Sequence, residues 1–271
     1  ASSLSYHFTD GNIKDFDTVY AFVKDKDVLT IEIENVSVEA LEQLEKAGVK
    51  VFPQANVVRT IKDKRLQKQF YKTNNIPTAD FILIDSKADL EQHIDFLPAF
   101  QKLGTGGYDG RGVQHLKDAS DFDKAFEAPS LLEKAVDIHK EISVIVARNE
   151  SGEIQSFPPV ELVFNPKYNL VDYLLSPAQI EKSVAEKAKT IAERVIVAYD
   201  MVGLLAIELF LTPAGEILVN EVAPRPHNSG HQTIEGNITS QYEQHLRAIL
   251  GYPLGSTEIT LPSVMINVLG E

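Results

Sequence analysis

Between residues 204 and 225 the chain reads LLAIELFLTPAGEILVNEVAPR, two apolar runs separated by Thr212-Pro213-Ala214-Gly215. Strand-forming runs around such a turn predict an antiparallel hairpin, with strands over 202–211 and 216–222. With the turn centred near Pro213 and Ala214, facing residues carry numbers that sum to about 427–429. Glu208 and Glu221 meet that condition. They would share one face with their Cβ atoms about 5 Å apart, the spacing of direct cross-strand neighbours. Each interrupts an otherwise apolar strand. Two carboxylates held this way repel each other unless one takes up a proton or a cation sits between them. Asn220 is a further hard oxygen donor beside them. Oxygen ligands of this kind suit Mg²⁺, which commonly binds one or two carboxylates plus the phosphates of a nucleotide. A register off by one would instead leave one glutamate on the solvent face of an edge hairpin.

The hairpin belongs to a chain of 271 residues, long enough for two or three compact units. Strand and helix signals alternate at the start. VLTIEI at 28–33 reads as a strand, and Ser37 caps a helix carrying Ala40, Leu41 and Leu44. Gly48 stops that helix before a strand over 49–52. Residues 57–75 read as one helix, with Leu66 and Phe70 on a common face, and a boundary between units is expected near 53–60. Further strands are expected at 81–84 and 98–103, with a helix over 86–94 between them. A strand at 141–148 turns at Ser151-Gly152 and returns over 153–158. Residues 162–175 lack a period and read as loop with an irregular strand. Ser176 with Gln179 has capping-box spacing and Pro177 suits the first helical position, so a long helix is expected to start there. Its apolar face comprises Ile180, Val184, Ala188, Ile191, Val195 and Ala198. A last helix covers 240–250. The expected fold class is α/β and α+β, multidomain, with units at 1–56, 57–131 and 132–271.

Composition narrows the function classes. The 26 Lys and Arg residues against 39 Asp and Glu give a net charge of −13, which argues against non-specific nucleic-acid or anionic-membrane binding but leaves room for a local basic pocket. No cysteine is present, so disulfides, iron–sulfur clusters and thiolate zinc sites are excluded. No apolar run approaches the length of a membrane-spanning helix. The opening ASSLSYHFTDG does not look like a signal peptide and lacks an initiating Met.

Residues 102–112, KLGTGGYDGRG, contain glycines at 104, 106, 107, 110 and 112. Such a loop can bend tightly and bring backbone N–H groups onto phosphate oxygens, with Lys102 as a point charge behind it. It matches neither a Walker loop nor a dinucleotide-binding turn. A plain hairpin tip is the alternative, against which Tyr108, Asp109 and Arg111 at the tip point to ligand contact. Downstream, APRPHNSGH at 223–231 gathers Arg225, His227, Asn228, Ser229 and His231 directly after Glu221. Arg225 offers a planar fork for carboxylate or phosphate oxygens. Two histidines four apart raise zinc, but Pro226 disfavours a regular helix and no third nitrogen or sulfur ligand is near. Glu133-Lys134-Ala135-Val136 can present backbone groups to a purine edge, and Glu141 can accept from ribose hydroxyls. A surface loop is the competing reading.

Taken together, QKQF at 67–70, KLGTGGYDGRG, LLEKAV, EISVIVAR, AIELF, VNEVAPRPHNSGH and QYEQHLRAILG resemble the N5-carboxyaminoimidazole ribonucleotide synthetases of the ATP-grasp family. The resemblance implies an ATP-grasp fold with a partial N-terminal α/β domain, a small lid-like subdomain and a main subdomain holding the metal. It implies ATP-dependent carboxylation of 5-aminoimidazole ribonucleotide with bicarbonate, in purine biosynthesis, by way of carboxyphosphate. ATP and Mg²⁺ are the implied cofactors, with Mn²⁺ an alternative ion, in a cytoplasmic homodimer. By motif, Lys64 and Lys102 resemble the phosphate-side cations, Gly107, Tyr108, Asp109, Gly110, Arg111 and Gly112 the covering loop, and Glu133, Lys134, Ala135 and Val136 the adenine hinge. Glu141 resembles the ribose acceptor, and Glu208 and Glu221, with Asn220, the metal site. Tyr108, Asp109, Arg111, His227 and Asn228 resemble ribonucleotide contacts, and Arg225 the group steadying the activated carboxyl.

The chain departs from that pattern in places. Members begin with a strand and a G-x-G-Q-L-G turn and continue beyond MINVLG into a C-terminal domain, so both ends look trimmed. Leu162 and Phe164 stand where many members carry Asn and His, which removes or replaces one polar contact near the nucleotide. The alternatives to this activity are another ATP-grasp carboxylate–amine ligase, or a nucleotide-binding regulatory or structural protein without turnover.

Overall fold

A computed structural model of the chain describes residues 2–107, 112–165 and 170–268. Near the N-terminus, α1 (Phe16–Val23) precedes a parallel βαβ unit of β1 (Val28–Thr30), α2 (Val38–Lys46) and β2 (Lys50–Phe52). The Ser37 side chain accepts from the Ala40 N–H, and α2 buries Ala40, Leu41 and Leu44 as its spacing predicts. Gly48 follows at φ +93°, a conformation only glycine takes without strain. β1 is shorter than the VLTIEI run because its partner offers only three residues for pairing.

The single helix expected over 57–75 is two helices, α3 (Ala55–Lys62) and α4 (Lys64–Thr73). Asp63 breaks them: its backbone is extended (φ −109°, ψ 109°) and its carboxylate accepts from the N–H groups of Arg65 and Leu66, capping α4. The buried face is also different. Leu66 is exposed, whereas Gln67, Lys68 and Tyr71 are buried, and Phe70 stacks on Tyr199 with ring centroids 4.0 Å apart. A helix that buries a lysine does so for its charge, as the site below makes plain.

A four-stranded antiparallel sheet follows, ordered β3 (Phe81–Ile84), β6 (Ser130–Lys134), β4 (Ala99–Leu103), β5 (Val113–Leu116). The helix expected over 86–94 is a 3₁₀ run, Lys87–Phe96, interrupted at His93 by non-helical dihedrals. The Asp89 carboxylate tightens its start by accepting from the N–H groups of Asp85 and Ser86.

The larger sheet comprises β7 (Lys140–Arg148), β8 (Ile154–Ser156), β9 (Val160–Phe164), β10 (Val171–Ser176), β11 (Gly203–Leu211), β12 (Ile217–Ala223) and β13 (Ser263–Ile266), in the order β12-β11-β7-β9-β10-β13 with β8 also on β7. One face packs on α5 (Lys182–Ala198): Ile142, Val144, Val146, Leu205, Ile207, Leu209 and Val219 meet Ala188, Ile191, Ala192 and Val195. The other face carries Ile145, Ala147, Leu204, Ala206 and Ala223, and α7 (Gln241–Ile249), after the short α6 (Thr233–Gly236), lies against β11 and β7.

Two expectations here are corrected. Residues 162–175 hold β9 and β10, paired antiparallel across a register shift between Val171 and Tyr173 that hides the two-residue period. Leu162 is buried there with Val160 and Leu174. The long helix starts at Lys182, with Glu181 as its N-cap, because Ser176 is the last residue of β10 and pairs with Ser263. Among the described residues no helix is long and apolar enough to cross a membrane.

Candidate active site

The hairpin of β11 and β12 begins at its turn in a regular register, Leu211↔Ile217, Phe210↔Leu218, Leu209↔Val219. Continued unchanged, it would set Glu208 opposite Asn220. The register shifts there, so that Glu208 faces Glu221 and Ile207 faces Val222. Asn220 is the extra residue of a β-bulge, and the strand changes parity across it. Val219 and Val222 both join the core under α5, and Glu221 is turned to the opposite face beside Glu208. Ser143 of β7 pairs with Glu208 from the other side. Ser143, Glu208 and Glu221 therefore stand in one row across three strands, with Glu141 two residues along β7.

Electrostatics around this row are strongly polarised. Burial, then the neighbouring Glu221, pushes the Glu208 carboxyl up to about 8. Glu221 goes the other way, down to about 2, because the Lys64 ammonium donates to its Oε2 at 2.5 Å. Burial and then Glu221 raise Glu141 to about 7. Three carboxyls thus share a face with too little positive charge for all of them, a setting that a divalent cation relieves. The donors are two carboxylates and the Asn220 amide, all oxygen, which fits Mg²⁺. Among the described residues no cluster of three or more His, Asp or Glu side chains forms a larger metal site.

Opposite the carboxylates lies a buried cationic group. Lys64 and Lys68 project from α4 four residues apart, hence on one face. Lys68 is paired with Glu133 of β6, and Lys102 of β4 donates to the same Glu133 carboxylate at 2.6 Å. Lys102 also reaches Asn220 Oδ1 at 3.3 Å. Glu133 is held below the usual carboxylate range, since Lys102 and Lys68 together outweigh its burial. Lys68 donates to Thr78 Oγ1 at 2.5 Å, and Thr78 in turn donates to the Val219 carbonyl at 2.7 Å, one residue before the bulge. The α4 helix thus links the small sheet to the large one through charge.

This arrangement removes the competing surface-loop reading of Glu133. It is a strand residue with a buried carboxylate between two lysines, not part of a surface linker. In the expected hinge the N–H groups of Lys134 and Ala135 already donate to the Asp80 and Pro98 carbonyls, and the Lys134 ammonium donates to the Phe96 and Leu97 carbonyls; Val136 follows, half-buried.

The segment after β12 supplies the third side. Arg225 is clamped by Glu34 of the N-terminal unit, its Nε donating to Glu34 Oε2 at 2.5 Å. His227 lies with Nε2 3.9 Å from Glu208 Oε1, and burial, then Arg225, lowers its pKa to about 4. Asn228 opens a short 3₁₀ turn directly after it. His231 turns away and stacks on Tyr242.

The ends of the glycine loop meet at its base: Leu103 N–H donates to the Gly112 carbonyl at 2.9 Å, and Gly106 and Gly112 have φ of +83° and +84°. A Cβ on Gly112 would come within 2.9 Å of the Gly107 Cα, so side chains are excluded from this neck. The loop tip expected to touch ligand, Tyr108, Asp109, Gly110 and Arg111, lies outside the described residues. The structure gathers Lys64, Lys102, Glu133, Glu141, Glu208, Asn220, Glu221, Arg225 and His227 around one cleft. Sequence reasoning missed Lys68, Thr78 and Glu34; only the spacing of Lys68 from Lys64 carried a signal.

Comparisons with known proteins give the chain's family. Residues 69–242 match the ATP-grasp domain family, and residues 1–62 match the ribonucleotide synthetase preATP-grasp domain. The chloroplastic phosphoribosylaminoimidazole carboxylase of Vigna aconitifolia is 42% identical over 281 residues, covering 100% of this chain and 49% of the relative. The crystal structure of N5-carboxyaminoimidazole ribonucleotide synthetase from Thermotoga maritima superposes with a TM-score of 0.85 at 43% identity, over 95% of this chain and 67% of that one. The N5-carboxyaminoimidazole synthase of Aspergillus clavatus, in complex with ADP and 5-aminoimidazole ribonucleotide, gives a TM-score of 0.92 at 32% identity, over 100% and 73%. The chain spans about half the length of curated relatives such as the plant protein.

Proposed function

The chain belongs to the ATP-grasp family, among the N5-carboxyaminoimidazole ribonucleotide synthetases, and we propose that it takes part in the ATP-dependent carboxylation of 5-aminoimidazole ribonucleotide by bicarbonate. In that reaction a bicarbonate oxygen attacks the γ-phosphorus of ATP and the bond to ADP breaks. The carboxyl group then passes to the exocyclic amine as phosphate leaves. The observation that carries this reading is the opposition of Glu208 and Glu221 on one face, with Lys64 and Lys102 across from them.

In this reading Glu208, Glu221 and the Asn220 amide hold Mg²⁺, which supplies charge neutralisation at the nucleotide phosphates. Lys64 and Lys102 lie close enough to move their hydrogen bonds from Glu221 and Asn220 onto phosphate oxygens, stabilising charge on the transferred group. Gly104, Gly106, Gly107 and Gly112 let the loop approach phosphate closely and exclude water. Glu141 accepts from ribose hydroxyls. Arg225, oriented by Glu34, steadies the carboxyl being transferred, and His227 with Asn228 contacts the ribonucleotide. A homodimeric, cytoplasmic enzyme is the assembly that accompanies this reading.

A coupled ADP-release assay tests it, with bicarbonate or 5-aminoimidazole ribonucleotide omitted in turn. Release that requires both is the expected result. Release with a different acceptor amine would assign the chain to another ATP-grasp ligase, and nucleotide binding without release would make it a non-catalytic binding protein.

A further inference from the structure

Two buried serines and one buried glutamine surround His227, and the proposed reaction assigns none of them a role. The Ser229 N–H donates to His227 Nδ1 at 3.3 Å, and the Ser229 hydroxyl lies 2.9 Å from the same nitrogen. That hydroxyl is 2.8 Å from the Ser143 hydroxyl. Both serines are buried, and Ser143 is the cross-strand neighbour of Glu208. On the backbone side, the fully buried Gln241 amide clamps His227 twice: the His227 N–H donates to Gln241 Oε1 at 2.9 Å, and Gln241 Nε2 donates to the His227 carbonyl at 2.8 Å. Gly230 closes the turn where a Cβ would come within 2.2 Å of Ile145 Cδ1 and 2.5 Å of Gln241 Oε1.

A backbone N–H has no lone pair, so the ring nitrogen that it faces must be the one without a proton. Nδ1 is thereby fixed as an acceptor, and the neutral ring carries its proton on Nε2. The hydroxyls complete a directed chain, Ser143 donating to Ser229 and Ser229 to Nδ1. Nε2 is the nitrogen turned toward Glu208, at 3.9 Å. We infer that Ser229 and Ser143 are positioning residues that lock His227 in the Nε2–H tautomer, aimed as a donor into the cleft, while Gln241 fixes the backbone from which it projects. Any catalytic benefit rests on the function proposed above; the tautomer itself does not.

The test is a long-range ¹H–¹⁵N spectrum of the histidine rings in the uniformly labelled chain, with the His227 signals identified by their loss in His227→Gln. The expected result is the Nε2–H pattern for His227 in the wild type; Ser229→Ala keeps the backbone N–H at 3.3 Å but loses the closer hydroxyl at 2.9 Å, so a minor Nδ1–H fraction, absent from the wild type, should appear. Ser143→Ala should give the same change in smaller degree. A wild-type ring protonated on Nδ1, or averaging between the two tautomers, would overturn the inference. In the ADP-release assay, Ser229→Ala should lower kcat by up to about a hundredfold, the cost of misplacing a side chain that positions the ribonucleotide, with KM for ATP unchanged. A kcat within about twofold of wild type, with unchanged ring shifts, would equally overturn it. The spectrum is read without turnover, so a chain that releases no ADP yet shows the Nε2–H ring defeats the proposed reaction and leaves this inference standing.

Discussion

Glu208 and Glu221 are direct cross-strand partners because Asn220 is bulged out of β12. The bulge turns Glu221 from the helix-covered face to the cleft, and the two carboxylates then oppose each other beside Lys64. Like charges so arranged cost folding free energy, which is how a site kept for function at the expense of stability looks.

Replacing Glu208 by Gln removes that repulsion while keeping the side-chain shape. The folded chain without nucleotide should be as stable as wild type or more so in urea titrations. Calorimetric titration with ATP should show Mg²⁺-dependent affinity falling by at least about tenfold, with turnover lost. Undiminished Mg²⁺-dependent affinity would remove the metal role from this pair.

Lys68→Met strips one cation from the buried Glu133 carboxylate and leaves Lys102 to neutralise it alone. Breaking a buried pair on one side costs about 3 kcal/mol. Chemical denaturation should register that loss. Because Lys102 is then drawn more firmly to Glu133 and away from Asn220, KM for ATP should rise as well. A variant as stable as wild type would show that Lys102 suffices.

His245 is buried with Nε2 2.7 Å from Thr30 Oγ1, and its Nδ1 has no hydrogen-bond partner among the described residues. Burial lowers its pKa to about 4, from an ordinary 6.5. The folded chain therefore holds this ring neutral, whereas the unfolded chain binds its proton below pH 6.5. Stability from this group is complete above pH 6.5 and is lost as pH falls toward 4, by about 3 kcal/mol in all. Because Glu141, Glu208 and His227 also titrate differently in the folded and unfolded chain, the readout is the comparison with His245→Gln: between pH 7.5 and pH 5 in urea titrations the wild type should lose about 2 kcal/mol more than the variant.

Gly230→Ala forces a methyl group against Ile145 and Gln241, both buried. Overpacking of this kind costs about 1–3 kcal/mol. The larger effect should fall on turnover, since the displaced Gln241 amide is the clamp on the His227 backbone. Thermal unfolding and the ADP-release assay, run on the same preparation, separate the two.

The amino-acid sequence determined the elements whose signals are local. The Ser37 cap, the buried stripe of α5 from Ala188 to Val195, the last helix and the β11–β12 hairpin follow from periodicity and turn chemistry within a few residues. The family resemblance lay in contiguous motifs, GGYDGRG and NEVAPRPHNSGH, and was legible for the same reason. Tertiary structure decided what depends on partners distant in the chain. Lys68 stands in the sequence only as part of QKQF, and its role as a buried counter-charge exists because Glu133, from β6, comes to lie beside it. Ser143 and Ser229 are 86 positions apart and only folding joins their hydroxyls. The bulge at Asn220 has the same origin: local alternation places Glu221 on the side of Val219, and it is overridden because Val222, packing under α5, gains more from burial than the strand loses by one unpaired residue.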